Sequence, residues 1–287
     1  MPERKVTDEL LHRGALPNAS KLIGETEFWR FVEHRIDPLF MKVIRGGTSH
    51  PVSSGDATRL SSQELESLRR AYGRGASITV RDIDRVSPLL RRVCQRFERS
   101  FSKPVGVRAY AFLTPPVTSG RAEVFPPHYD LIDGLVIQIA GSKRWKVFPP
   151  VRPYPLYEER LTAEELAPLT EPLAEGLLEP GDCLLLPRGY VHAVESTSFG
   201  SIHVTIGPGF DLVWKNRKEL LPNLSPEVRR QLPSRQDFST EVEWADRALR
   251  RVAELLRDEP AGLRTECELL ESMDAPPFRP WSGLISG

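Results

Sequence analysis

PPHYD, residues 126–130, and LEPGDCLLLPRGYVHAVES, residues 178–196, are the stretches that decide the fold. In the first, one residue separates His128 from Asp130, so on a strand both side chains leave the same face. In the second, a Pro-Gly-Asp turn feeds an apolar strand, a Pro-Arg-Gly turn reverses it, and the next strand carries His192. Two imidazoles and one carboxylate suit non-haem Fe(II), because they fill one triangular face of an octahedron and leave three positions open. Each motif alone has a plainer reading. His-x-Asp is common by chance, and a single strand histidine is usually just packed or exposed. It is the order that matters: a double-stranded β-helix needs an early His-x-Asp and a late His at the two ends it brings together.

The sequence around these motifs supports that topology. Val105–Leu113, Leu135–Ala140, Arg144–Phe148, Cys183–Leu186, Val191–Glu195 and Ser201–Ile206 are short and rich in β-branched or aromatic residues, with turn signals between them. Strands this short and dense, without alternating helices, predict a sandwich or barrel rather than a parallel α/β sheet. Upstream, Glu25–Arg35 has a helical apolar face (Phe28, Trp29, Phe31, Val32) with Thr26 as its expected cap. A short strand is expected over Pro38–Ile44, broken by Gly46-Gly47. Ser61 or Ser62 would cap a helix over Gln63–Tyr72, and Ser77–Val80 is strand-like. Ser87–Phe101 places Leu89, Leu90, Val93, Cys94 and Phe97 at helical spacing, with Arg91, Arg92, Arg96 and Arg99 opposite. That Arg91–Arg99 face would suit an acidic partner, although such runs are more often solvated. Downstream, Pro226–Gln231 and Val242–Arg257 read as helices, the second with an apolar face fit for a homodimer contact. The expected class is mainly β with flanking helices, a sandwich or barrel core plus a C-terminal helical region.

Composition narrows the function. The 287 residues carry 39 basic and 39 acidic side chains, and this balance argues against general binding to nucleic acid or anionic membranes. Three widely spaced cysteines, Cys94, Cys183 and Cys267, suggest neither a disulfide framework nor a CxxC zinc site, and fit a reducing cytoplasm. The opening MPERKVTDELLHRG lacks the apolar stretch of a secretory signal, and no apolar run is long enough to span a bilayer.

FLTPP (112–116), PPHYD, VIQIAGSKRWKVFPP (136–150), the 178–196 stretch and SIHVTIG (201–207) agree in order and spacing with the JmjC/cupin-type oxygenases. Over roughly residues 28–210 the chain resembles their ribosomal-oxygenase-like branch. Residues 1–24 are polar and mixed and read as a loose, poorly ordered N-terminal arm; the resemblance implies a double-stranded β-helix (cupin/jelly-roll) core within an oxygenase domain with a helical N-terminal part (25–211), followed by a helical C-terminal region (212–287). It also implies Fe(II), 2-oxoglutarate as co-substrate and O2, with His128, Asp130 and His192 holding the metal. Lys143 matches the basic residue that pairs with the far carboxylate of 2-oxoglutarate, and an anion entering an apolar barrel does need a fixed cation. Trp145 alternates with Lys143 and would share its face. Tyr110 stands where relatives often have Asn, two residues before the aromatic position held by Phe112, so the polar contacts of that pocket wall differ from the common pattern. His203 and Thr205 share one face of their strand and would line the pocket; the competing reading of His203 is a satisfied core histidine.

The implied activity is hydroxylation of an unactivated C–H on a protein or peptide side chain, with succinate and CO2 as co-products. Some 75 residues follow the barrel, which is short for the full C-terminal module of ribosomal oxygenases. A small amino-acid-like substrate therefore stays open as an alternative. So does a non-catalytic metal- or ligand-binding cupin, although an intact triad with Lys143 argues against it. Histone-lysine demethylation would use the same chemistry. A zinc hydrolase would need a general base that the sequence does not offer.

Overall fold

Short runs of Val, Ile and Leu, punctuated by Gly and Pro, pair into two antiparallel sheets. The structure is a computed structural model. It describes residues 10–208 apart from 35–39, 53–58, 100–105, 118–122, 153–154, 156–158 and 198. The expected helices at Pro226–Gln231 and Val242–Arg257, and the whole 212–287 region, lie outside the described residues.

In chain order the elements are β1 (Leu11–His12), α1 (Glu25–His34), β2 (Met41–Arg45), β3 (Thr48–Pro51), α2 (Ser62–Gly73), β4 (Ser77–Val80), α3 (Pro88–Glu98), β5 (Val107–Thr114), β6 (Glu123–Tyr129), β7 (Gly134–Ala140), β8 (Lys143–Pro150), α4 (Ala163–Leu166), β9 (Ala174–Leu178), β10 (Cys183–Leu186), β11 (Tyr190–Ser196) and β12 (Ser201–Pro208). The larger sheet runs β1-β10-β7-β12-β5-β4-β2-β3, and the smaller runs β6-β11-β8-β9. Sequence neighbours β7 and β8 thus fall in different sheets, as do β10 and β11. That alternation is the double-stranded β-helix.

One face of the larger sheet is covered by helices. Ala109, Ala111 and Leu113 of β5 and Ile202, Val204 and Ile206 of β12 are buried in one apolar cluster with Phe28 of α1 and Leu90, Val93 and Phe97 of α3. Each such side chain contributes about 1.5–3 kcal/mol by leaving water. Helix α3 starts where its sequence says it should. Ser87 accepts a hydrogen bond from the Leu90 amide and Pro88 occupies the first turn. Helix α2 is closed by a capping box between Ser61 and Glu64, which settles Ser61 as the cap.

Three expectations need correction. Residues 10–24 are not a loose arm. Leu10, Leu16, Leu22 and Ile23 are buried, and β1 adds an edge strand beside β10. Asp182, from the Pro-Gly-Asp turn, holds this segment in place: it accepts from the Gly14 amide (2.8 Å) and the Glu179 amide (3.0 Å) and pairs with Arg13 (2.6 Å). Second, α1 begins at Glu25, so Thr26 lies inside the first turn rather than capping it. Third, the strand expected over Pro38–Ile44 is β2 at Met41–Arg45. Gly46 and Gly47, both with positive φ (52° and 74°), form the two-residue turn into β3.

Candidate metal centre

Strand register builds the centre. β11 pairs with β6 so that His192 stands directly opposite His128, although 64 residues separate them in sequence. Their rings lie 4.2 Å apart between centroids. Asp130 sits just beyond the end of β6, and its backbone carbonyl accepts from the Gly189 amide at 3.0 Å. The Pro-Arg-Gly turn therefore fixes the residue that carries the carboxylate. In that turn the Arg188 amide donates to Asp133 Oδ1 (2.9 Å), and the Arg188 side chain donates to the Pro155 carbonyl (2.9 Å).

His128, Asp130 and His192 each offer one ligand atom, and the three atoms lie within 4.8 Å of one another. His192 Nε2 is 3.9 Å from Asp130 Oδ2. Both imidazoles are oriented from behind. His128 Nδ1 is 2.8 Å from the Pro126 carbonyl, and His192 Nδ1 is 3.2 Å from the Tyr190 carbonyl. A carbonyl can only accept, so each Nδ1 carries the hydrogen and each Nε2 presents its lone pair to the centre. Burial and the neighbouring His128 push the His192 pKa down to about 4, with Asp130 opposing, so the imidazole stays neutral as a ligand must. Two imidazoles and a carboxylate gathered on one face fit a divalent iron.

Exposure tells the mouth of the barrel from its floor. It falls from 45% for the Asp130 side chain to 3% at His192 and 0% at Lys143. Lys143 is opposite Ser196 on β11, two register rows below His192. Its Nζ is buried with no hydrogen-bond partner, and burial pulls its pKa down to about 7. An unpartnered amine in an apolar interior is costly, and a bound carboxylate would relieve it.

The structure places the other expected pocket residues as follows. Trp145 lies beside Lys143 on the inward face, 6.0 Å from the His192 ring and 5.5 Å from His203. Phe112 pairs in register with His203 and stacks on it at 4.4 Å with planes 6° apart; it also meets Phe125 edge-on at 6.1 Å. Phe125 in turn lies 5.3 Å from His128. Tyr110 and Thr205 face each other one row nearer the mouth. His203 Nδ1 is buried with no hydrogen-bond partner.

Two inward polar residues escaped the sequence reading. Gln138 of β7 is fully buried opposite His203, and its amide nitrogen donates to the Ala140 carbonyl and Ser201 Oγ. Its sequence signal was the single polar residue in LVIQIA. Ser196 gave no comparable signal. The basic face of α3 is partly committed: Arg91 donates to the backbone carbonyls of Asp84 and Arg85.

A double-stranded β-helix with a two-histidine, one-carboxylate face at its mouth defines a cupin-type metal-binding barrel. Residues 89–215 match the JmjC domain, so this part of the chain is similar to JmjC-domain proteins. A bifunctional lysine-specific demethylase and histidyl-hydroxylase NO66 from Drosophila willistoni is 35% identical over 160 residues, covering 55% of this chain and 20% of that protein. The NO66 of Caenorhabditis elegans is 33% identical over 158 residues, covering 50% and 20%. The chain thus spans about a fifth of the length of these curated relatives. The crystal structure of the Escherichia coli ribosomal oxygenase YcfD aligns over 84% of this chain and 61% of that one, at 19% identity and a TM-score of 0.40. A likeness that distant adds nothing to the reading of the site. Among the described residues no helix is long and apolar enough to cross a membrane.

Proposed function

We propose that the protein is an Fe(II)- and 2-oxoglutarate-dependent hydroxylase acting on a protein or peptide side chain. The observation that carries this reading is Lys143. A fully buried, unpartnered amine lies in the same barrel as a three-donor metal face, below it and away from solvent. The metal face alone would suit several divalent ions; a buried cation below it selects a ligand with an acid group at its far end.

His128, Asp130 and His192 would hold the iron. Bound there, iron would supply the activation of dioxygen, with 2-oxoglutarate oxidised to succinate and CO2 while a substrate C–H becomes C–OH. The chain's own residues bind, orient and exclude water. Lys143 fixes the co-substrate along the barrel axis by pairing with its remote carboxylate. The backbone carbonyls of Pro126 and Tyr190 hold both imidazoles in the metal-binding tautomer. Phe112, Phe125 and Trp145 wall the space between floor and metal with apolar surface, which keeps water from the reacting centre.

The substrate class rests on the relatives, whose names give lysine demethylation and histidyl hydroxylation, both reactions of protein side chains. The exposed Asp130 end of the barrel supports the same class, because a side chain can enter there while the polypeptide stays outside. A cytoplasmic home belongs to the proposal and is supported by the two described cysteines, Cys94 and Cys183, both buried and free. The test is succinate formation from 2-oxoglutarate by the iron-loaded protein with candidate peptides, together with a gain of one oxygen on the peptide by mass spectrometry. Peptide-dependent succinate with unmodified peptides would redirect the search to small molecules; no succinate from any source would reject the activity.

A further inference from the structure

Residues between β8 and β9 touch both segments that carry the metal ligands. On one side, the Arg188 side chain, 4% exposed, reaches out of the Pro-Arg-Gly turn and donates to the Pro155 carbonyl at 2.9 Å. Pro155 is itself packed on that turn. A Cβ at Gly189, whose φ is +86°, would stand 2.8 Å from Pro155 Cδ and 3.4 Å from the Arg152 carbonyl oxygen. On the other side is Tyr129, the residue between His128 and Asp130. A strand alternates, so its side chain leaves the face opposite to that of His128. Its hydroxyl donates to the Glu159 carbonyl at 2.8 Å. Arg152 pairs with Glu165 and, at 3.9 Å, with Glu159, which ties the two points of contact to each other.

The carboxylate is the ligand that such a brace serves. His128 and His192 stand in register on paired strands, whereas Asp130 lies past the last residue of β6 with its side chain 45% exposed. Its backbone carbonyl is held by the Gly189 amide. The turn that offers this amide is held by Arg188, through its own amide to Asp133 Oδ1 and through its guanidinium to Pro155. We propose that Arg188, assisted by Tyr129, is the positioning residue for the carboxylate ligand. Neither side chain touches the metal. Together they lock the Asp130 backbone between the Pro-Arg-Gly turn and the β8–β9 connection, so the carboxylate is set before the metal arrives. Its freedom is then lost on folding and does not weaken metal binding. This rests on the reading of His128, Asp130 and His192 as a metal face.

The test is titration of the full chain with Co(II), followed by calorimetry and by visible absorption, well below the melting temperature. Arg188→Met keeps the length of the side chain and loses the donors. It should bind Co(II) about tenfold more weakly, the low end of the loss seen when groups that orient metal ligands are removed. Its visible band should change as the carboxylate leaves the metal. Arg188→Lys, which restores a donor toward Pro155, should recover most of the affinity and the native band. Tyr129→Phe should weaken Co(II) binding about threefold, within the worth of one neutral hydrogen bond. It decides the question if Arg188→Met does not fold, as a melting curve would reveal. A merely structural role would lower the melting temperature and leave the Co(II) affinity and band of the folded variants native. That result, or a loss that Arg188→Lys does not recover, would overturn the positioning role while leaving the metal face standing. Failure of the native protein to bind Co(II) would overturn both.

Discussion

Replacing Lys143 by methionine should make the ligand-free protein more stable while destroying its affinity for 2-oxoglutarate. In the fold the amine loses its proton near pH 7, against 10.5 in an ordinary lysine, because burial disfavours the charge. At 1.36 kcal/mol per pH unit, keeping the amine charged in the folded chain costs about 5 kcal/mol. The unfolded chain holds this proton up to about pH 10.4, so between pH 7 and that value it binds more protons than the native state. Native stability therefore rises with pH across this window, and the penalty is fully present below pH 7. Methionine is close in length and apolar, and carries no such penalty. Melting curves of metal-free native protein and Lys143→Met from pH 6 to pH 10 test this. At pH 6 the variant should be more stable by several kcal/mol, about 10 °C for a chain of this size. The gap should shrink as pH approaches 10. Adding 2-oxoglutarate should raise the melting point of the native protein alone. A variant that melts lower than native at pH 6, or a gap that does not change with pH, would refute the claim that Lys143 is a buried, uncompensated cation.

Other consequences are as direct. Gly47 has φ +74°, and a methyl group there would stand 2.6 Å from Pro126 Cδ, whose residue's carbonyl orients His128. Gly47→Ala should therefore cost about 1–2 kcal/mol in thermal stability and weaken Mn(II) binding; unchanged metal affinity would mean that the hairpin does not help set the ligand. Asp182→Ala removes the bonds to Gly14, Glu179 and Arg13 and should cost about 2–3 kcal/mol at pH 7, with earlier proteolysis near residues 10–20. Burial raises the Asp182 pKa, but the two amides and Arg13 outweigh it and hold it low. The native advantage over Asp182→Ala should be present above pH ~4 and fade as pH falls through that depressed value; a difference constant down to pH 2 would contradict it. Ser61→Ala should cost about 1 kcal/mol by opening the capping box of α2, measured by urea denaturation, and leave metal binding intact.

The sequence announced what depends on local pattern. Leu89, Leu90, Val93, Cys94 and Phe97 were legible as the buried face of α3 because a helix repeats its face every three to four residues. Lys143, Trp145 and Val147 were legible as inward because a strand alternates. The metal face was legible because His-x-Asp and a distal His are chemically rare in that order. What escaped depends on contacts between distant segments. Leu10, Leu16, Leu22 and Ile23 have no strand or helix period, and only docking against β10 and its turn buries them. β9 contains a glycine and a glutamate and has no strand pattern of its own; β8 offers it an edge to pair with. β6 contains two prolines, which a central strand would not tolerate, and it lies at the edge of its sheet. Thr26 reads as a cap, yet the helix starts one residue earlier. Ser196 was invisible because only the register of β11 against β8 sets it opposite Lys143.

The central claim is that His128, Asp130 and His192 hold an iron that 2-oxoglutarate then chelates. Anaerobic addition of Fe(II) and 2-oxoglutarate tests it most directly, read as a weak visible charge-transfer band that needs both components. The native protein should develop the band, and His128→Ala and Asp130→Ala should lack it while remaining folded. No band in the native protein, or an undiminished band in either variant, would contradict the account.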